Sequence, residues 1–365
     1  MTLHKTEFWH GKRVLVTGHT GFKGSWLSLW LARLGAHVTG YALPPSTDPN
    51  LFSLARVSEM VKHVEGDVRN LARLSEVVEL VRPEIVFHLA AQPLVRHSYE
   101  APVETMAVNI MGTVNLLEAV RVAGGVRVVV CITSDKCYEN REWPWGYREN
   151  EGMGGHDPYS SSKGCAELVI SAYRKSYFTS AGIDVHGTAL ASARAGNVIG
   201  GGDWAKYRLI PDIIRAVSAG QRPLIRSPNA VRPWQHVLDP LSGYMTLAER
   251  LWDYAADFAE GWNFGPYEED ARPVEWIADR LCALWDRNAG WDRDTEAHLH
   301  EATWLKLDIS KARQMLGWSP RWRLDDALTE IVVFNRALLQ GKSMHDIAMK
   351  HISDFELGRR VDEEE

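Results

Sequence analysis

The sequence has few cysteines, no long apolar run and no excess of basic residues. Only four of its 365 residues are cysteine, and none forms a Cys-x-x-Cys pair, which argues against a zinc site or a redox dithiol. No segment approaches the length of a membrane span, and the N-terminus lacks the apolar core and cleavage site of a signal peptide. These absences predict a cytoplasmic protein with reduced thiols and no membrane partner.

The charge balance is slightly acidic. Lysine and arginine number 41 against 47 acidic residues, for a formal net charge of −6, and no basic cluster stands out. Nucleic acid is therefore not expected as a partner. Apolar residues make up 45% of the chain, which at this length supports two domains or one large domain with an appendage.

Short β-rich runs alternate with helical patterns through the first half of the chain. The clearest runs are 13–18, 36–42, 84–91 and 126–134. Strand and helix in turn predict an α/β fold, with a doubly wound parallel (Rossmann) sheet that is covered on both faces. From about residue 200 the alternation is lost, which predicts a second, smaller and partly discontinuous α/β domain toward the C-terminus.

A glycine-rich loop follows the first predicted strand. T-G-H-T-G-F-K-G, residues 17–24, places Gly18, Gly21 and Gly24 three residues apart between that strand and a helix. Glycine lets backbone amides approach a pyrophosphate, and the helix N-terminus adds positive partial charge. The context indicates a dinucleotide site. A tight turn that only packs the helix on the strand is the alternative.

The ribose end of such a site is less clear. After the second strand, G-Y-A-L-P-P-S-T-D has no acid before Asp48 and no arginine nearby, so this stretch leaves NAD and NADP both open. Asp67, after the predicted third strand, either holds the adenine amino group or caps the helix that starts near Asn70.

A tyrosine and a lysine share one face of a predicted helix. Y-S-S-S-K puts Tyr159 and Lys163 four residues apart. A lysine beside a phenol lowers the tyrosine pKa, and such a tyrosine can take a proton from a sugar hydroxyl. Alone, the spacing is also typical of a solvated helix face. With the glycine loop upstream and Ser134 at the end of an intervening strand, it favours catalysis.

T-S-D-K-C-Y, residues 133–138, puts an acid and a base directly after a buried strand. Asp135 and Lys136 form either a tuned acid–base pair or a salt bridge that closes the strand end. A lysine acts as a base only if its pKa falls. Burial and the neighbouring Lys163 would lower the pKa of Lys136, while Asp135 would raise it.

Motifs in order along the chain resemble those of the extended short-chain dehydrogenase/reductase family, over nearly its whole length. They are T-G-x-x-G-F-x-G (17–24), H-L-A-A-Q (88–92), T-S-D-K-C-Y (133–138), Y-S-S-S-K (159–163), R-A-G-N-V-I-G (194–200) and R-P-W-Q-H-V (232–237). Within that family the chain resembles the nucleotide-sugar 4,6-dehydratases. Its G-H-T-G-F-K-G-S-W-L, A-A-Q-P-L-V-R, S-D-K-C-Y-E-N-R-E-W and R-A-G-N-V-I-G-G-G-D-W segments are similar to the branch that acts on CDP-glucose.

The resemblance implies a three-stage reaction with enzyme-bound NAD on CDP-glucose, in a route to deoxysugars of surface polysaccharides such as lipopolysaccharide. Hydride leaves C4 while Tyr159 removes the O4 proton, with Ser134 serving this oxidation. Water is then lost across C5 and C6, and the hydride returns to C6, which gives CDP-4-keto-6-deoxyglucose. Asp135 would be the acid at O6, and Lys136 the base at C5 or a support for the enolate. Dehydratases of the dTDP-glucose type carry Asp–Glu here.

The resemblance also implies a set of contact residues and a division into domains. Asn197 and Arg232 would contact phosphate, Arg208 and Leu209 the base, Asn263 the nucleotide, and Gln92 the sugar or nicotinamide. The expected cofactor contacts are Gly18, Thr20, Gly21, Phe22, Gly24, Asp67, Val68, Ala90, Tyr159 and Lys163. The expected domains are 1–200 with 237–262 for the dinucleotide, 201–236 with 263–350 for the nucleotide sugar, and a tail over 351–365.

Three further stretches have two interpretations each. His88 lies in an apolar strand and is expected to be a core histidine rather than a catalyst. H-L-H, 298–300, has no further ligand nearby, so no metal site is expected. W-P-W, 143–145, either covers the sugar by stacking or simply packs.

Competing functions remain within and beyond the family. A dTDP- or GDP-hexose dehydratase, or a UDP-hexose 4-epimerase, would share most motifs, but an epimerase needs no acid–base pair at C5 and C6. Asp135 and Lys136 therefore favour dehydration. A non-catalytic dinucleotide-binding sensor usually loses the tyrosine or the lysine, and here both remain. Helices over 103–122 and 158–178 are candidates for building a homo-oligomer, either a dimer or a tetramer.

Overall fold

The computed structural model describes residue 4, residues 6–296 and residues 302–359. Its central sheet has seven parallel strands in the described part. They are β1 (Arg13–Thr17), β2 (His37–Ala42), β3 (Lys62–Glu65), β4 (Ile85–His88), β5 (Val128–Ile132), β6 (Ala189–Ala195) and the strand Gly261–Phe264. From one edge to the other the order is Gly261–Phe264, β6, β5, β4, β1, β2, β3. This confirms the predicted doubly wound fold.

Helices cover both faces of the sheet. They include Phe22–Arg33, Leu71–Val81, Pro102–Met106, Gly112–Ala123, Pro158–Ser176, Leu209–Ser218, Leu238–Tyr254, Val274–Trp285, Leu324–Leu339 and Met344–Leu357. A π-helical turn, Ala107–Met111, joins the third to the fourth. β5 reads V-V-V-C-I and is buried along its whole length, as expected for a central parallel strand.

Shorter elements fill the connections. The short helices are Thr6–Trp9, Leu51–Leu54, Val57–Met60, Val95–Glu100, Asp135–Cys137, Ser180–Gly182, Ile183–His186, Ala255–Phe258, Glu268–Asp270 and Ala312–Leu316. Three pairs of short strands lie outside the main sheet: Val198–Ile199 with Gln235–His236, Leu224–Ile225 with Asp292–Arg293, and Val231–Pro233 with Ala271–Pro273.

The order of the strands reverses at β1, which lies between β2 and β4. In open α/β sheets, ligands bind beside such a reversal, outside the carboxyl ends of the strands. The loops that follow β1, β4, β5 and β6 all leave from this edge because the strands are parallel. The sequence motifs of interest lie in these loops.

The C-terminal part packs over this edge around a core of its own. Ile213, Ile277 and Leu328 are fully buried there, on three different helices. Two boundaries differ from the sequence prediction. The strand Gly261–Phe264 completes the central sheet, so residue 263 does not open the second domain. Residues 351–357, predicted as tail, end the last helix, because Phe355 packs edge-on against Trp30 at 5.6 Å.

One helical stretch in the described part, Pro102–Ala123, is long and apolar enough to cross a bilayer by length and composition alone. That is weak evidence, because a core helix of a soluble protein passes the same test. Here the stretch packs against the helices Leu71–Val81 and Pro158–Ser176.

His88 is the core histidine that the sequence predicts. Its Nδ1 lies 2.7 Å from Thr17 Oγ1, and its Nε2 lies 3.3 Å from Thr113 Oγ1. Burial, and then the charge of Lys163, lowers the pKa of His88 to about 3. The ring is therefore neutral at physiological pH and bonded to two hydroxyls.

Candidate active site

A cavity of about 770 Å³ opens along the carboxyl edge of the sheet. Its walls come from the glycine loop (residues 17–24), the loops after β4, β5 and β6, and the C-terminal part of the chain. The volume is within the range of cofactor and small-molecule sites.

The glycines of the loop bring bare backbone to the cavity. Gly18 has φ +76°, and a Cβ there would lie 2.7 Å from the backbone nitrogen of Ala90. A Cβ at Gly24 would lie 2.1 Å from the Gly18 carbonyl oxygen. No side chain caps the helix Phe22–Arg33, so its first amides face the loop. A glycine cradle at a helix N-terminus fits the pyrophosphate of a dinucleotide.

Other predicted cofactor residues lie around this loop. The Thr20 hydroxyl donates to the Leu43 carbonyl at 2.8 Å and so ties the loop to the end of β2. Phe22, Val68 and Ala90 also line the cavity. These residues follow different strands and lie far apart in the chain. The fold brings them together at the same edge of the sheet.

Asp67 lines the cavity but does not cap a helix. Asn70 caps the helix Leu71–Val81 by accepting from the Arg73 amide at 3.0 Å. The Asp67 carboxylate instead accepts from the Arg69 amide at 2.8 Å and from its guanidinium. These hydrogen bonds from Arg69 lower the pKa of Asp67. The capping interpretation of Asp67 is therefore wrong.

Tyr159 and Lys163 lie in the first turns of the helix Pro158–Ser176 and are both buried. Asp157 starts that helix by accepting from the Ser160 amide at 2.9 Å, and Pro158 follows at the first helical position, as is common. Both side chains line the cavity. Burial lowers the pKa of Lys163 to about 8, against the opposing charge of Glu167.

The surroundings of Tyr159 shift its pKa in both directions. Burial and, to a smaller extent, the charge of Asp135 raise it, a hydrogen bond with Ser134 and the charge of Arg208 lower it, and the net pKa is about 12. The Lys163 Nζ lies 3.5 Å from the Ile132 carbonyl oxygen.

The Asp–Lys turn (residues 133–138) follows β5. Ser134 begins the helical turn Asp135–Cys137, and its hydroxyl donates to Asp135 Oδ1 at 2.9 Å. Asp135 Oδ2 is buried and has no hydrogen-bond partner among the described residues. Burial raises the pKa of Asp135, although Lys136, Ser134 and Arg232 lower it. Asp135 is thus suited to hold a proton.

Lys136 is half-buried and lines the same cavity. Its ammonium is close enough to lower the pKa of Asp135, but the two side chains form no ion pair within 4 Å in the described structure. The sequence alternative of a salt bridge that closes the strand end is therefore wrong.

A buried polar network holds this turn from behind. The Glu167 carboxylate accepts from Thr133 Oγ1 at 2.5 Å and pairs with Arg194 at 2.8 Å. Arg194 also donates to the Tyr138 hydroxyl at 2.7 Å, which in turn donates to Asn263 Oδ1 at 2.7 Å. Both ends of the turn are thus tied to this buried network, and breaking the ion pair would leave a charge unpaired.

Two predicted substrate contacts do not reach the cavity. The Gln92 side chain donates to Thr105 Oγ1 at 2.8 Å and accepts from the Leu94 amide, so it shapes its own loop. Asn263 is fully buried, and its amide also donates to the Tyr147 carbonyl at 2.8 Å. Both amide groups are hydrogen-bonded inside the protein, and their contact with a substrate stays a prediction.

The other four predicted substrate residues line the cavity: Asn197, Arg208, Leu209 and Arg232. Arg208 pairs with Asp203 at 2.8 Å and lies close enough to Tyr159 for each to shift the pKa of the other. It is thus at the catalytic end of the cavity, not at a distant base-binding end. Arg232 donates to the Val231 carbonyl at 2.9 Å and lies near Asp135.

The sequence prediction missed Lys23. This residue of the glycine loop lines the cavity. Burial lowers its pKa to about 7, with repulsion from Lys163 and Arg208, against the attraction of Asp135. Its position inside the glycine loop was the sequence feature that could have identified it as a cavity residue.

The W-P-W stretch packs rather than covering the cavity. Trp143 stacks on Tyr147 at 5.7 Å and does not line the cavity. His298 and His300 lie outside the described residues.

Comparison with known proteins places this arrangement in a family. Residues 15–331 match the family model described as GDP-mannose 4,6 dehydratase. The chain is 58% identical over 349 residues to CDP-glucose 4,6-dehydratase of Salmonella typhimurium, covering 96% of this chain and 97% of that protein. The chain belongs to the nucleotide-sugar 4,6-dehydratase family. Another member, dTDP-glucose 4,6-dehydratase of Mycolicibacterium smegmatis, is 28% identical over 89% of this chain and 93% of its own length.

Solved structures show that the family fold extends beyond dehydratases. UDP-glucose 4-epimerase of Thermotoga maritima matches with a TM-score of 0.76 at 22% identity, over 89% of this chain and 99% of the other. dTDP-glucose 4,6-dehydratase of Bacillus anthracis, in complex with NAD, matches with a TM-score of 0.73 at 19% identity, over 91% and 99%. At these identities the likeness concerns the fold alone.

Proposed function

We propose that this protein is a hydro-lyase that converts CDP-glucose to CDP-4-keto-6-deoxyglucose with bound NAD. The observation that carries the proposal is the Asp–Lys turn. Asp135 and Lys136 reach the same cavity as Tyr159 and Ser134, and they form no ion pair. A C4 epimerase has no step that needs this second acid and base. The 58% identical relative, named for CDP-glucose, supports the choice of substrate.

The glycine loop, with Asp67, Val68 and Ala90, would hold NAD. When bound, NAD takes hydride from C4 of the hexose and returns it to C6. Because the cofactor is regenerated in each turnover, it need not exchange. An enzyme that retains its cofactor can therefore lack the acidic or arginine residue that usually binds the adenine ribose after β2.

Tyr159 would accept the O4 proton in the oxidation. Burial opposes the phenolate, so its charge has to be stabilised by neighbours. Ser134 and Arg208 are placed to do this, and the ammonium of Lys163 lies one helical turn away from Tyr159. Ser134 would therefore assist the oxidation through its hydrogen bond.

Asp135 and Lys136 would carry out the loss of water. Lys136 accepts the C5 proton, the C5–C6 double bond forms, and the C6–O bond breaks. Asp135 donates its proton to the departing oxygen, which leaves as water. The raised pKa of Asp135 favours the protonated acid that this step requires.

The remaining cavity residues would bind the nucleotide sugar. Arg232 would supply charge and Asn197 an amide for the pyrophosphate, and Leu209 would contact the base. We infer that Arg208 serves the reacting sugar end, where it lies beside Tyr159.

The wider setting is part of the proposal. We infer that the enzyme works in the cytoplasm on a route to surface deoxysugars. We also infer that residues 1–200 and the segment from 237 to the end of the strand Gly261–Phe264 form the dinucleotide domain. Exposed apolar side chains on the two predicted interface helices, Val103, Met111 and Leu168, support a homo-oligomer, either a dimer or a tetramer.

The test offers the purified chain CDP-, dTDP-, UDP- and GDP-hexoses and follows the product by NMR. A 4-keto-6-deoxy product from CDP-glucose is expected, with deuterium from C4 recovered at C6. A product from another nucleotide only would shift the substrate assignment. A C4 epimer would indicate an epimerase, and cofactor binding without any turnover would indicate a sensor.

A second test separates the stages. Lys136→Ala is expected to retain C4 oxidation, seen as absorbance of the reduced nicotinamide, and to lose water about 100-fold more slowly, in the usual range for a missing general base. If this variant eliminates water at the normal rate, Lys136 is not the base.

A further inference from the structure

Gly196 lies directly after β6 and lines the cavity. A Cβ at this position would lie 1.7 Å from Asp135 Oδ2, 2.1 Å from its Cγ and 2.6 Å from its Oδ1. These are the three nearest atoms, and all belong to one carboxyl group. The carboxyl of Asp135 thus occupies the volume that a side chain at residue 196 would take.

Backbone conformation does not account for this glycine. Gly196 is not among the glycines with positive φ, so another residue could adopt its backbone angles without strain. What excludes a side chain is contact with Asp135. This separates Gly196 from Gly18, where φ and contact both demand glycine.

The backbone on the Gly196 side is anchored. The buried Gln235 amide donates to the Gly196 carbonyl at 3.1 Å and to the Phe264 carbonyl at 2.8 Å. It therefore ties residue 196 to the end of a sheet strand. At the Asp135 carboxyl, in contrast, Oδ1 accepts from the Ser134 hydroxyl at 2.9 Å, and Oδ2 has no hydrogen-bond partner among the described residues. If a side chain were added at residue 196, Asp135 would move.

We propose that Gly196 is a positioning residue for the loss of water: its lack of a side chain sets the place of the Asp135 carboxyl beside the sugar. The inference rests on the proposed function of Asp135 as the acid at O6. It adds that the Asp135 carboxyl needs the space left by a missing side chain in the loop after β6. An enzyme of this fold without that acid would not need glycine here.

The variant Gly196→Ala tests the proposal in the full chain with NAD and CDP-glucose. Formation of the 4-keto-6-deoxy product is expected to slow about 100-fold, the usual effect of losing a general acid. Single-turnover C4 oxidation, read as absorbance of the reduced nicotinamide, is expected to stay within about threefold of wild type, because Tyr159 is not displaced. Product formation within about threefold of wild type, or equal losses in both stages, would overturn the proposal.

The matched control is Gly152→Ala. A Cβ there would meet only Glu139 Oε2 at 3.6 Å, an ordinary contact, and Gly152 does not line the cavity. Both stages are expected to keep wild-type rates in this variant. Circular dichroism and the melting temperature of both variants establish that they fold.

A double-mutant cycle identifies the partner. Asp135→Ala removes all three atoms that a Cβ at residue 196 would meet. In that background, Gly196→Ala is expected to slow product formation by less than about twofold more, since coupled sites are not additive. If it costs the same factor as in the wild-type background, Gly196 acts independently of Asp135 and the proposal fails.

A crystal structure of Gly196→Ala gives a readout that does not depend on turnover. Cβ atoms do not approach heavy atoms within 3.0 Å, so Oδ2, at 1.7 Å, must move by about 1.3 Å or more. An unmoved carboxyl would refute the positioning role even if CDP-glucose were not the substrate. Conversely, a moved carboxyl in an enzyme that is inactive on CDP-glucose would leave Gly196 as the positioner and reject the proposed function.

Discussion

The glycine loop and the Asp–Lys turn leave the same edge of the sheet, yet they are shaped in opposite ways. In the loop, Gly18 and Gly24 have no side chains because the backbones beside them approach too closely. In the turn, Ser134 and Asp135 are held by hydrogen bonds, and a buried network lies behind them. The loop depends on the absence of side chains, whereas the turn depends on hydrogen bonds and on a buried ion pair behind it.

The difference predicts which kind of substitution impairs each region. In the loop, an added methyl group causes steric strain and blocks the approach of a pyrophosphate. In the turn, removal of a polar partner leaves a buried group unsatisfied, which costs stability as well as chemistry. Gly196 combines the two, because there the absence of a side chain in one loop gives the carboxyl of the turn its place.

The largest effect is expected at Tyr159. Tyr159→Phe removes the proton acceptor for O4 and should lower kcat about 1000-fold, while NAD binding changes little. Turnover of CDP-glucose and titration with NAD measure the two. Tyr177→Phe, which changes an exposed tyrosine at the end of the same helix, is the control and should remain active. Activity of Tyr159→Phe within about tenfold of wild type would remove Tyr159 from the chemistry.

Next comes the network behind the turn. Arg194→Met leaves the buried Glu167 without its partner and should lower the free energy of unfolding by about 3–5 kcal/mol, as measured in urea. Arg148→Met breaks the exposed contact with Asp308 at 3.4 Å and should cost less than about 1 kcal/mol. Equal losses would mean that the network does not stabilise the turn.

A smaller effect is expected from glycine substitutions. Gly11 and Gly18 have similar φ, +73° and +76°, but a Cβ at Gly11 would meet nothing within 4 Å. Gly11→Ala should cost about 1–2 kcal/mol from φ alone. Gly18→Ala should cost about 1–3 kcal/mol more, from overpacking against Ala90, and should weaken NAD binding. Urea unfolding and NAD titration of both variants check this, and equal stability losses would contradict it.

The effect that is smallest near neutral pH concerns His88. Its folded pKa of about 3 lies below the usual 6.5, so the unfolded chain binds the extra proton between these values. The resulting stability is fully present above pH 6.5 and falls by about 1.4 kcal/mol per pH unit below it. His88→Gln should reduce that slope in urea unfolding at several pH values. The exposed control His37→Gln should leave it unchanged, and an unchanged slope in His88→Gln would contradict the assignment.

Sequence predicted the parts of the site that depend on spacing. Local geometry was sufficient to predict two of these parts. They are the three glycines between a strand and a helix, and Tyr159 four residues before Lys163. Sequence could not show that the side-chain amides of Gln92 and Asn263 would be hydrogen-bonded inside the protein. It also could not show that Lys163 would turn to a carbonyl, or that Lys23 would lie among three other charged groups.

The second domain was harder to predict for a related reason. Loss of the strand–helix alternation marked where it begins, and the return to the sheet was expected over 237–262. The helix Leu238–Tyr254 lies in that range, and the strand Gly261–Phe264 ends two residues beyond it. The second half of the last helix, from residue 351, was predicted as tail because its burial against Trp30 is a long-range contact that no local pattern encodes.

The strand Gly261–Phe264 pairs with β6, although residues 196–260 separate them in the chain. During synthesis, β6 therefore emerges long before its outer neighbour exists. Its seven residues are all buried in the finished sheet. An apolar strand edge that waits for a partner is a site for unwanted pairing with other chains. A fragment that stops near residue 200 would retain that bare edge permanently, so the dinucleotide half of this fold is not a separable unit.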